Sequence, residues 1–266
     1  MNRTVLPFSV LLAVFATATI ADVPAAPAAR AVPLRTESFY DTWLKDRLSI
    51  GLGLSHSTLT DAKRPKDFES GQTFVGFVWK LEDKDQIGIV PELRYRAADN
   101  LRIVLAMDRV VGRTRNYNQR KHSDGDVTVW GPQLLVEGLY PLCDDTVFLH
   151  AGAGIVYDFA DFNEVKWWKL GYSSNESWTY YGRTNKARQS YYREIHVDDS
   201  FGWSVAAGCS WRPSPRFELD LSLRHTWLEP DCQFGYSYKR KGFEKHQDGD
   251  FTLDHLSVVL TGSYVF

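Results

Sequence analysis

The sequence lacks the features of several classes of protein. Its 31 Lys and Arg are balanced by 33 Asp and Glu, for a formal net charge of −2 over 266 residues, whereas a nucleic-acid-binding domain is expected to be basic. Its mean hydropathy of −0.32 is too polar for a bundle of transmembrane helices. Its three cysteines, Cys143, Cys209 and Cys232, are too few and too scattered for a disulfide framework or a zinc site. We therefore expect no cofactor, no metal, no nucleic-acid partner and at most one disulfide.

Long apolar runs are also absent, except at the N-terminus. Arg3 precedes a largely apolar stretch from Val5 to Ile20, and small residues follow through Ala21. A positive start, an apolar middle and a small-residue end predict a signal peptide over residues 1–21, cleaved after Ala18 or Ala21. A retained membrane anchor is the alternative, but Thr residues interrupt the run before it reaches about 20 apolar residues. The protein is therefore expected to leave the cytoplasm.

Residues 22–46 connect this leader to the rest of the chain. Asp22–Pro33 reads DVPAAPAARAVP, an Ala/Pro-rich linker with nothing to bury, for which we expect disorder. The segment Thr36–Leu44 carries Phe39, Tyr40 and Trp43, and we expect one amphipathic turn that lies near a membrane surface or plugs an opening. The folded domain is predicted to occupy residues 47–266.

From Arg47 onward, apolar and polar residues alternate with a period of two, which is the pattern of β-strands. The connections between the alternating segments are short and long in turn, as in a membrane barrel with short periplasmic turns and long extracellular loops. The sequence thus predicts an all-β fold, an eight-stranded antiparallel up-and-down transmembrane β-barrel. The eight segments are Arg47–Leu59, Gln86–Ala97, Leu101–Arg113, Val127–Tyr140, Thr146–Phe159, Phe201–Arg212, Phe217–Leu228 and Asp250–Phe266.

One further segment, Thr73–Leu81 (TFVGFVWKL), also alternates. A ninth barrel strand would reverse the side on which every later loop lies. We therefore assign this segment to a folded insertion inside the first long loop.

The aromatic residues indicate a membrane barrel, with a secreted soluble barrel as the alternative. The chain has 9 Trp, 13 Tyr and 15 Phe, and on the apolar strand faces Trp130 and Tyr140, like Phe217 and Trp227, are ten residues apart. Ten residues of a tilted strand rise by roughly 25 Å, the height of the apolar band that two aromatic girdles flank in outer-membrane barrels. The predicted girdle residues are Trp130, Tyr140, Trp203, Trp211, Phe217 and Trp227.

The opposite strand faces carry many ionisable groups. A dry soluble core would not tolerate so many charges, because their desolvation cost is severe. Eight strands leave an interior just wide enough for side chains, so we expect a salt-bridged plug, with a narrow path for ions or small solutes as the alternative. The predicted lumen residues are Glu92, Arg94, Arg96, Arg102, Asp108, Glu137, Asp158, Glu218, Asp220 and Arg224.

Over Arg47–Phe266, the chain resembles the small eight-stranded bacterial outer-membrane barrels of the OmpA, OmpX and OmpW types. Its ending, LTGSYVF, is similar to their barrel-assembly signal, with Tyr264 and Phe266 at the alternating aromatic positions. Gly262 lies two residues before Tyr264, where that signal usually has three. The resemblance implies a place in the outer membrane of a Gram-negative bacterium, with membrane lipid and lipopolysaccharide as partners, and with periplasmic chaperones and the barrel-assembly machinery acting during biogenesis.

Some barrels of this shape are enzymes, so catalytic groups were sought. A lipid A deacylase uses a His, a Ser and an acidic group near the lipid-facing rim, and His56-Ser57 and Arg224-His225-Thr226 are the nearest candidates. Neither has the His-x-Ser spacing of that family. Asp198-Asp199 with His196 has the residue types of an aspartyl-type protease site at the end of a loop. We expect no catalysis, and keep a lipid A-modifying hydrolase as a second alternative to a binding role.

The long loops carry the remaining signal. Aromatic and basic residues are concentrated in Ala160–Ser200 and in the basic group of the fourth loop, and such residues are enriched at recognition surfaces. The expected role is contact with a glycan, lipopolysaccharide or a host surface, while simple extension of the strands above the membrane is the alternative. The loop-binding candidates are Trp167, Trp168, Trp178, Tyr180, Tyr181, Lys239, Arg240 and Lys241.

Overall fold

The computed structural model of the chain describes residues 40–61, 65–72, 80–83, 87–115, 125–143, 146–164, 177–180, 183–186, 191–238 and 243–266. The predicted signal peptide and the Ala/Pro-rich linker lie outside these residues. Tyr40–Leu44 forms a short π-helical turn before the first strand. Within the described ranges, no helix is long and apolar enough to span a membrane.

Nearly all other described residues are in β-strands or in tight turns between them. The strands are β1 (Leu48–Asp61), β2 (Lys66–Asp67), β3 (Lys80–Asp83), β4 (Ile87–Ala98), β5 (Leu101–Arg115), β6 (Gly125–Leu142), β7 (Val147–Glu164), β8 (Ser177–Tyr180), β9 (Arg183–Lys186), β10 (Tyr191–Val197), β11 (Ser200–Ser214), β12 (Phe217–Trp227), β13 (Asp231–Tyr238), β14 (Phe243–Asp250) and β15 (Asp254–Val265).

Eight of these strands close into one antiparallel barrel, in the order β1, β4, β5, β6, β7, β11, β12 and β15. This is also their order along the chain, so the barrel is of the up-and-down type. The first and last strands close it, with Leu54 opposite Leu260, and the β5–β6 pairing completes the circle. Closure leaves the barrel without a free edge, as lipid requires. The predicted eight-stranded antiparallel barrel is confirmed, and each predicted segment coincides with one of its strands.

The short β3 is not a ninth barrel strand. It pairs with the far end of β5, with Asp83 opposite Gly112. Residues 73–79 of the segment that we assigned to a folded insertion lie outside the described residues.

Alternating residues of each barrel strand face opposite environments. On β12, Glu218 and Arg224 are buried in the lumen, whereas Phe217 and Leu221 expose 42% and 53% of their surface on the outside. The apolar residues therefore face outward and the charged ones inward, the reverse of a soluble barrel. This outer face suits lipid, because a membrane barrel places an apolar band around a polar interior.

A second sheet lies at the long-loop end of the barrel. It has the strand order β10-β13-β14-β2, and it contributes Ile195, Val197 and Phe234 to an apolar core together with Phe251 and Leu253. The barrel strands complete this core with inward-facing side chains. These are Val110, Val127, Val129, Val156 and Phe162.

The ladder of paired residues is interrupted briefly between β6 and β7, at Gly131 and Pro132, and over a longer stretch between β4 and β5. The β4–β5 pairing stops at Glu92 opposite Ala106, while residues 87–91 of β4 continue to pair with β1. Pro91 lacks the backbone N–H that a continuous ladder needs. The outer half of the β4–β5 seam therefore has no ladder pairs between its two strands.

Candidate functional site in the barrel lumen

The centre of the lumen near the short-turn end holds a cluster of ion pairs. Arg94 on β4 is its most connected member, with nitrogen-to-oxygen distances of 2.5 Å to Glu92 and 3.1 Å to both Glu218 and Asp220. Its guanidinium thus joins two β12 carboxylates to one on its own strand. Arg94 and Glu92 expose only 2% and 3% of their surface, so these pairs are shielded from water and salt.

Arg102 on β5 connects the same carboxylates to the opposite wall. Its guanidinium lies 2.7 Å from Glu137, 2.9 Å from Glu218 and 3.4 Å from Asp220. Ser210 donates its hydroxyl proton to Asp220 at 2.6 Å. Each carboxylate therefore has more than one donor, which buried charges need if they are to be tolerated.

Two further side chains complete the cluster. Arg224 on β12 pairs with Glu92, and Nε2 of His150 on β7 lies 2.9 Å from Asp220 Oδ2. Space for the imidazole comes from Gly208 on β11, where an added Cβ would lie 2.7 Å from the ring. A larger residue there would displace His150 from the centre of the lumen.

A second chamber lies beyond this cluster, toward the long-loop end. It is lined by five polar residues and three valines: Asp108, Gln133, Asp158, Thr226, His255, Val110, Val129 and Val156. Asp108 accepts hydrogen bonds from Ser55 at 3.3 Å and Ser257 at 3.4 Å, whereas neither Asp108 nor Asp158 forms an ion pair with an Arg or Lys within the described part of the chain. In the same residues, no three His, Cys, Asp or Glu side chains are arranged as metal ligands.

All ten residues proposed from the sequence to line the lumen lie on inward-facing strand positions, in three separate places. Asp108 and Asp158 lie in the outer chamber, and Arg96 lies at the short-turn mouth. The other seven form the ion-pair cluster: Glu92, Arg94, Arg102, Glu137, Glu218, Asp220 and Arg224. The predicted lumen residues do not include His150, Ser210, Arg212 and His255, although the alternation places these four on the inward strand faces as well.

The lipid-hydrolase candidates do not assemble as adjacent pairs. Ser57 points inward and shares a hydrogen bond of 2.7 Å with Ser257, whereas His56 is exposed on the outer face. The same alternation separates His225 from Thr226. His225 instead has its Nε2 3.3 Å from the hydroxyl of Thr60, across β15.

The His225–Thr60 contact lacks the third group of a catalytic triad. In a triad, a carboxylate holds the second ring nitrogen of the histidine. Nδ1 of His225 is buried with no hydrogen-bond partner. The ring lies tilted against Trp227, with 4.3 Å between the ring centroids, so its surroundings are those of a packed side chain at the outer rim.

The protease candidate is divided as well. His196 pairs with Asp198 at 3.1 Å on the exposed surface. Asp199 instead accepts hydrogen bonds from the backbone of Ala160 at 3.2 Å and from the Tyr157 hydroxyl at 3.5 Å. Asp198 therefore contacts β10 and Asp199 contacts β7, so the two carboxylates do not form an acidic pair.

Comparison with known proteins agrees with this architecture. No protein-family model and no curated protein matches the chain. Among solved structures it is similar to the outer membrane protein OprG from Pseudomonas aeruginosa, at 12% identity and a TM-score of 0.62 over 84% of this chain and 98% of that one. It is also similar to the outer membrane protein AlkL, at 11% identity and a TM-score of 0.50 over 93% and 97% of the two chains. The chain has the fold of the small outer-membrane β-barrels.

The fold orients the molecule in the membrane. By the general rule that the short turns of such barrels face the periplasm, we call the short-turn end, which holds the ion-pair cluster, the periplasmic end, and the end with the second sheet the outer end. The apolar outer face and the fold together place the protein in a bacterial outer membrane. One fold serves many functions, so the function depends on the side chains that this barrel carries.

Outward-facing aromatic side chains gather at both ends of the barrel wall. At the outer end, Trp130 contacts Phe159 at 4.9 Å, and Trp203 pairs across strands with Trp227. At the periplasmic end, Phe217 lies opposite Tyr264. Tyr140 and Trp211 are exposed on the same outer face.

The C-terminal residues proposed as an assembly signal help to close the barrel. Tyr264 and Phe266 stack edge-on at 5.3 Å on the outer face. Phe266 donates its N–H to the Leu48 carbonyl at 3.0 Å and accepts from the Asp46 N–H at 2.6 Å. Gly262 lies 3.8 Å, measured from an added Cβ, from Leu219 and Phe217, so this stretch forms the seam between β15 and its neighbours.

The loop-binding candidates are only partly within the described residues. Trp178 and Tyr180 belong to β8, which pairs with β9, and only their backbone is described. The other six lie outside the described residues: Trp167, Trp168, Tyr181, Lys239, Arg240 and Lys241. All three cysteines are free thiols, with Cys143 and Cys209 exposed and Cys232 buried.

Proposed function

We propose that the protein is a closed outer-membrane barrel that holds an ordered sheet above the membrane for contact with a glycan, lipopolysaccharide or a host surface. The observation that carries this proposal is the double closure of the lumen. Ion pairs fill its periplasmic half, and an apolar core fills its outer mouth. The aromatic residues at the two ends of the wall act as the membrane-interface girdles.

The ion-pair cluster argues against transport along the barrel axis. A solute would have to separate Arg94 and Arg102 from Glu218, at distances of 3.1 and 2.9 Å, and would leave buried charges uncompensated. Beyond them, Phe234 and Phe251 expose 1% and 0% of their surface, so apolar side chains also fill the outer mouth among the described residues. A barrel closed in this way is suited to supporting the outer sheet rather than to conducting solutes.

One face of the outer sheet is exposed and takes no part in closing the barrel. His196, Gln233 and Asp248 lie side by side across β10, β13 and β14, all on its exposed face. Phe68, in the turn after β2, exposes 61% of its surface. A polar strip beside an exposed aromatic ring is the chemistry of a carbohydrate or headgroup contact.

Two measurements test the proposal. Purified protein in planar bilayers should show no stable conductance steps, and reproducible steps would contradict the closed lumen. Cells that express the full chain should bind immobilised lipopolysaccharide or a glycan array more than cells that express Phe68→Ala with Gln233→Ala, which alters the exposed face of the outer sheet. Equal binding by both strains, at equal surface amounts, would refute the recognition role.

The interrupted β4–β5 ladder favours a second candidate function, a side path between the outer chamber and the membrane for small solutes. Asp108 lines the chamber and lies on β5 just past the last β4–β5 pair. With the axis filled at both ends, this seam is the longest stretch of the described barrel ladder without paired residues. Extending the register places Ile89 opposite Arg109 across it.

A disulfide across the seam tests this second function. In a background without the native cysteines, Ile89→Cys with Arg109→Cys should reduce the uptake of N-phenylnaphthylamine, a small apolar amine, when oxidised. Leu93→Cys with Leu105→Cys, which joins residues already paired, is the matched control. The side path is excluded if both cross-links leave uptake unchanged.

A further inference from the structure

The periplasmic mouth of the lumen carries more positive than negative charge. It is open to solvent, and five arginines and two carboxylates line it. The carboxylates are Asp46 and Glu218. The arginines are Arg47, Arg94, Arg96, Arg102 and Arg212.

The carboxylates of the ion-pair cluster do not neutralise this surplus. Four buried carboxylates (Glu92, Glu137, Glu218 and Asp220) face Arg94, Arg102 and Arg224 in the cluster. Arg212 adds a fourth guanidinium, 2.9 Å from Glu218, which balances the count. Arg96 is then a fifth guanidinium, which Glu218 and Asp99 attract from a distance.

Arg96 has no ion pair among the described residues, and its only close contact of defined geometry is aromatic. Its Cζ lies 4.7 Å from the centroid of the Phe148 ring, and the Cζ of Arg212 lies 5.7 Å from the same centroid. Two guanidinium groups are thus held beside one ring that is 4% exposed. The charge of Arg212 also acts on Arg96, and an anion bound to both guanidinium groups would reduce their mutual repulsion.

Arg212 has an unused donor as well. Its Nη2 contacts Glu218, but its Nε is buried without a hydrogen-bond partner. A buried N–H without an acceptor costs about 1–3 kcal/mol. An oxyanion in the cavity would supply the acceptor that the protein itself does not.

We propose that the periplasmic mouth of the lumen binds a phosphate group between Arg96 and Arg212. Phosphate has several acceptor oxygens, and the planar guanidinium donors of arginine match its geometry in pairs. Phe148 holds the two side chains in place through cation–π contact. The group comes either from a small soluble phosphate of the periplasm or from the headgroup of a phospholipid in the inner leaflet.

Titration calorimetry on the full chain in a neutral detergent tests the site. Inorganic phosphate should bind saturably at constant ionic strength, and Arg96→Gln should weaken binding by about tenfold or more, since a charged hydrogen-bonding partner is lost. Arg216→Gln, in the exposed turn at the same end, is the control and should bind as the wild type does. A second variant, Arg212→Lys, keeps the charge but loses the planar donor pair, and should also weaken binding.

The two sources are separated by a second titrant. Short-chain phosphatidylglycerol below its micellar concentration should bind more tightly than inorganic phosphate if the natural group is a headgroup, and no more tightly if it is a soluble phosphate. The site is disproved if neither titrant binds saturably, or if Arg96→Gln and Arg212→Lys, both folded by heat-modifiable gel mobility, bind as the wild type does.

Discussion

The two halves of the lumen are filled by different physical means. The periplasmic half contains interlocking ion pairs around Arg94 and Arg102, whereas the outer half contains an apolar core around Phe234 and Phe251. Along β5, the inward residues run from Arg102 through the small apolar Val104 and Ala106 to Asp108 and then Val110. One strand with a strict period of two therefore serves both kinds of interior.

The two halves therefore differ in how far their stability depends on contacts between specific pairs of residues. Burial of apolar surface stabilises the outer core by roughly 25 cal/mol per Å² and needs no matching partner. A buried ion pair adds little net stability, but removing one partner is costly because the other charge is left alone. The periplasmic half of the lumen should therefore be less tolerant of single substitutions than the outer half.

The largest effect is expected for Arg94→Ala. It removes a partner of Glu92, Glu218 and Asp220 at once, and should lower the free energy of unfolding by about 3–5 kcal/mol. Urea unfolding in detergent micelles measures this. Arg113→Ala, which breaks the half-exposed pair with Asp126 at 2.9 Å, is the control and should cost at most about 1 kcal/mol. Similar losses for both variants would show that burial does not distinguish the two pairs.

A cavity in the outer core should have the next largest effect. Leu253 is 1% exposed, so Leu253→Ala should cost about 3 kcal/mol. Proteolysis should then cut the outer sheet before the barrel loses its resistance to heat, because parts of a protein can open separately. Leu221→Ala, on the outer face, creates no internal cavity and should leave the cleavage pattern unchanged. Cleavage that begins in the barrel would contradict separate stabilisation of the two halves.

A smaller loss of stability is expected when a methyl group is added to the tightly packed periplasmic half of the lumen. Gly208→Ala would bring a methyl group 2.7 Å from the His150 ring and 2.4 Å from the Leu221 carbonyl, and overpacking of this kind costs about 1–3 kcal/mol. The control is Gly138→Ala, whose nearest neighbour would be 3.8 Å away. Thermal unfolding followed by gel mobility compares the two, and equal midpoints would show that His150 can move aside.

The mildest test uses the native thiols. Burial, followed by repulsion from Asp250 and Asp231, raises the pKa of the Cys232 thiol. Less thiolate is then present at neutral pH, so maleimide labelling of Cys232 in the folded protein should be slow and should rise only as the pH becomes strongly alkaline. Cys143, exposed in a periplasmic turn, should react quickly in purified protein but not with a large polyethylene-glycol maleimide on intact cells. Rapid labelling of Cys232 at neutral pH would show that the outer core is open.

The candidate site was predictable in part. Alternation assigns Glu92 and Arg94 to the inward face because side chains of a strand point to opposite sides in turn. It does not tell which strand lies across the lumen, so the contacts of Arg94 with Glu218 and Asp220, more than a hundred positions away, required the closed barrel. His150 and Arg212 obey the same alternation but were not chosen, since nothing local marks them as partners.

The same limit applied to catalytic candidates. His56 and Ser57 are adjacent in the sequence, but adjacent side chains of a strand point to opposite faces. The His225–Thr60 contact joins residues on two strands separated by β15, and it depends on register, which a single sequence does not disclose.

The sequence alone determines that the chain forms an eight-stranded membrane barrel, because a period of two and paired aromatic ends are local properties of each strand. Only the folded chain shows that the interior is divided into an ion-pair cluster, an acidic chamber and an apolar outer core. That division depends on which side chains meet across the lumen, and it arises from closure and strand register rather than from any one segment.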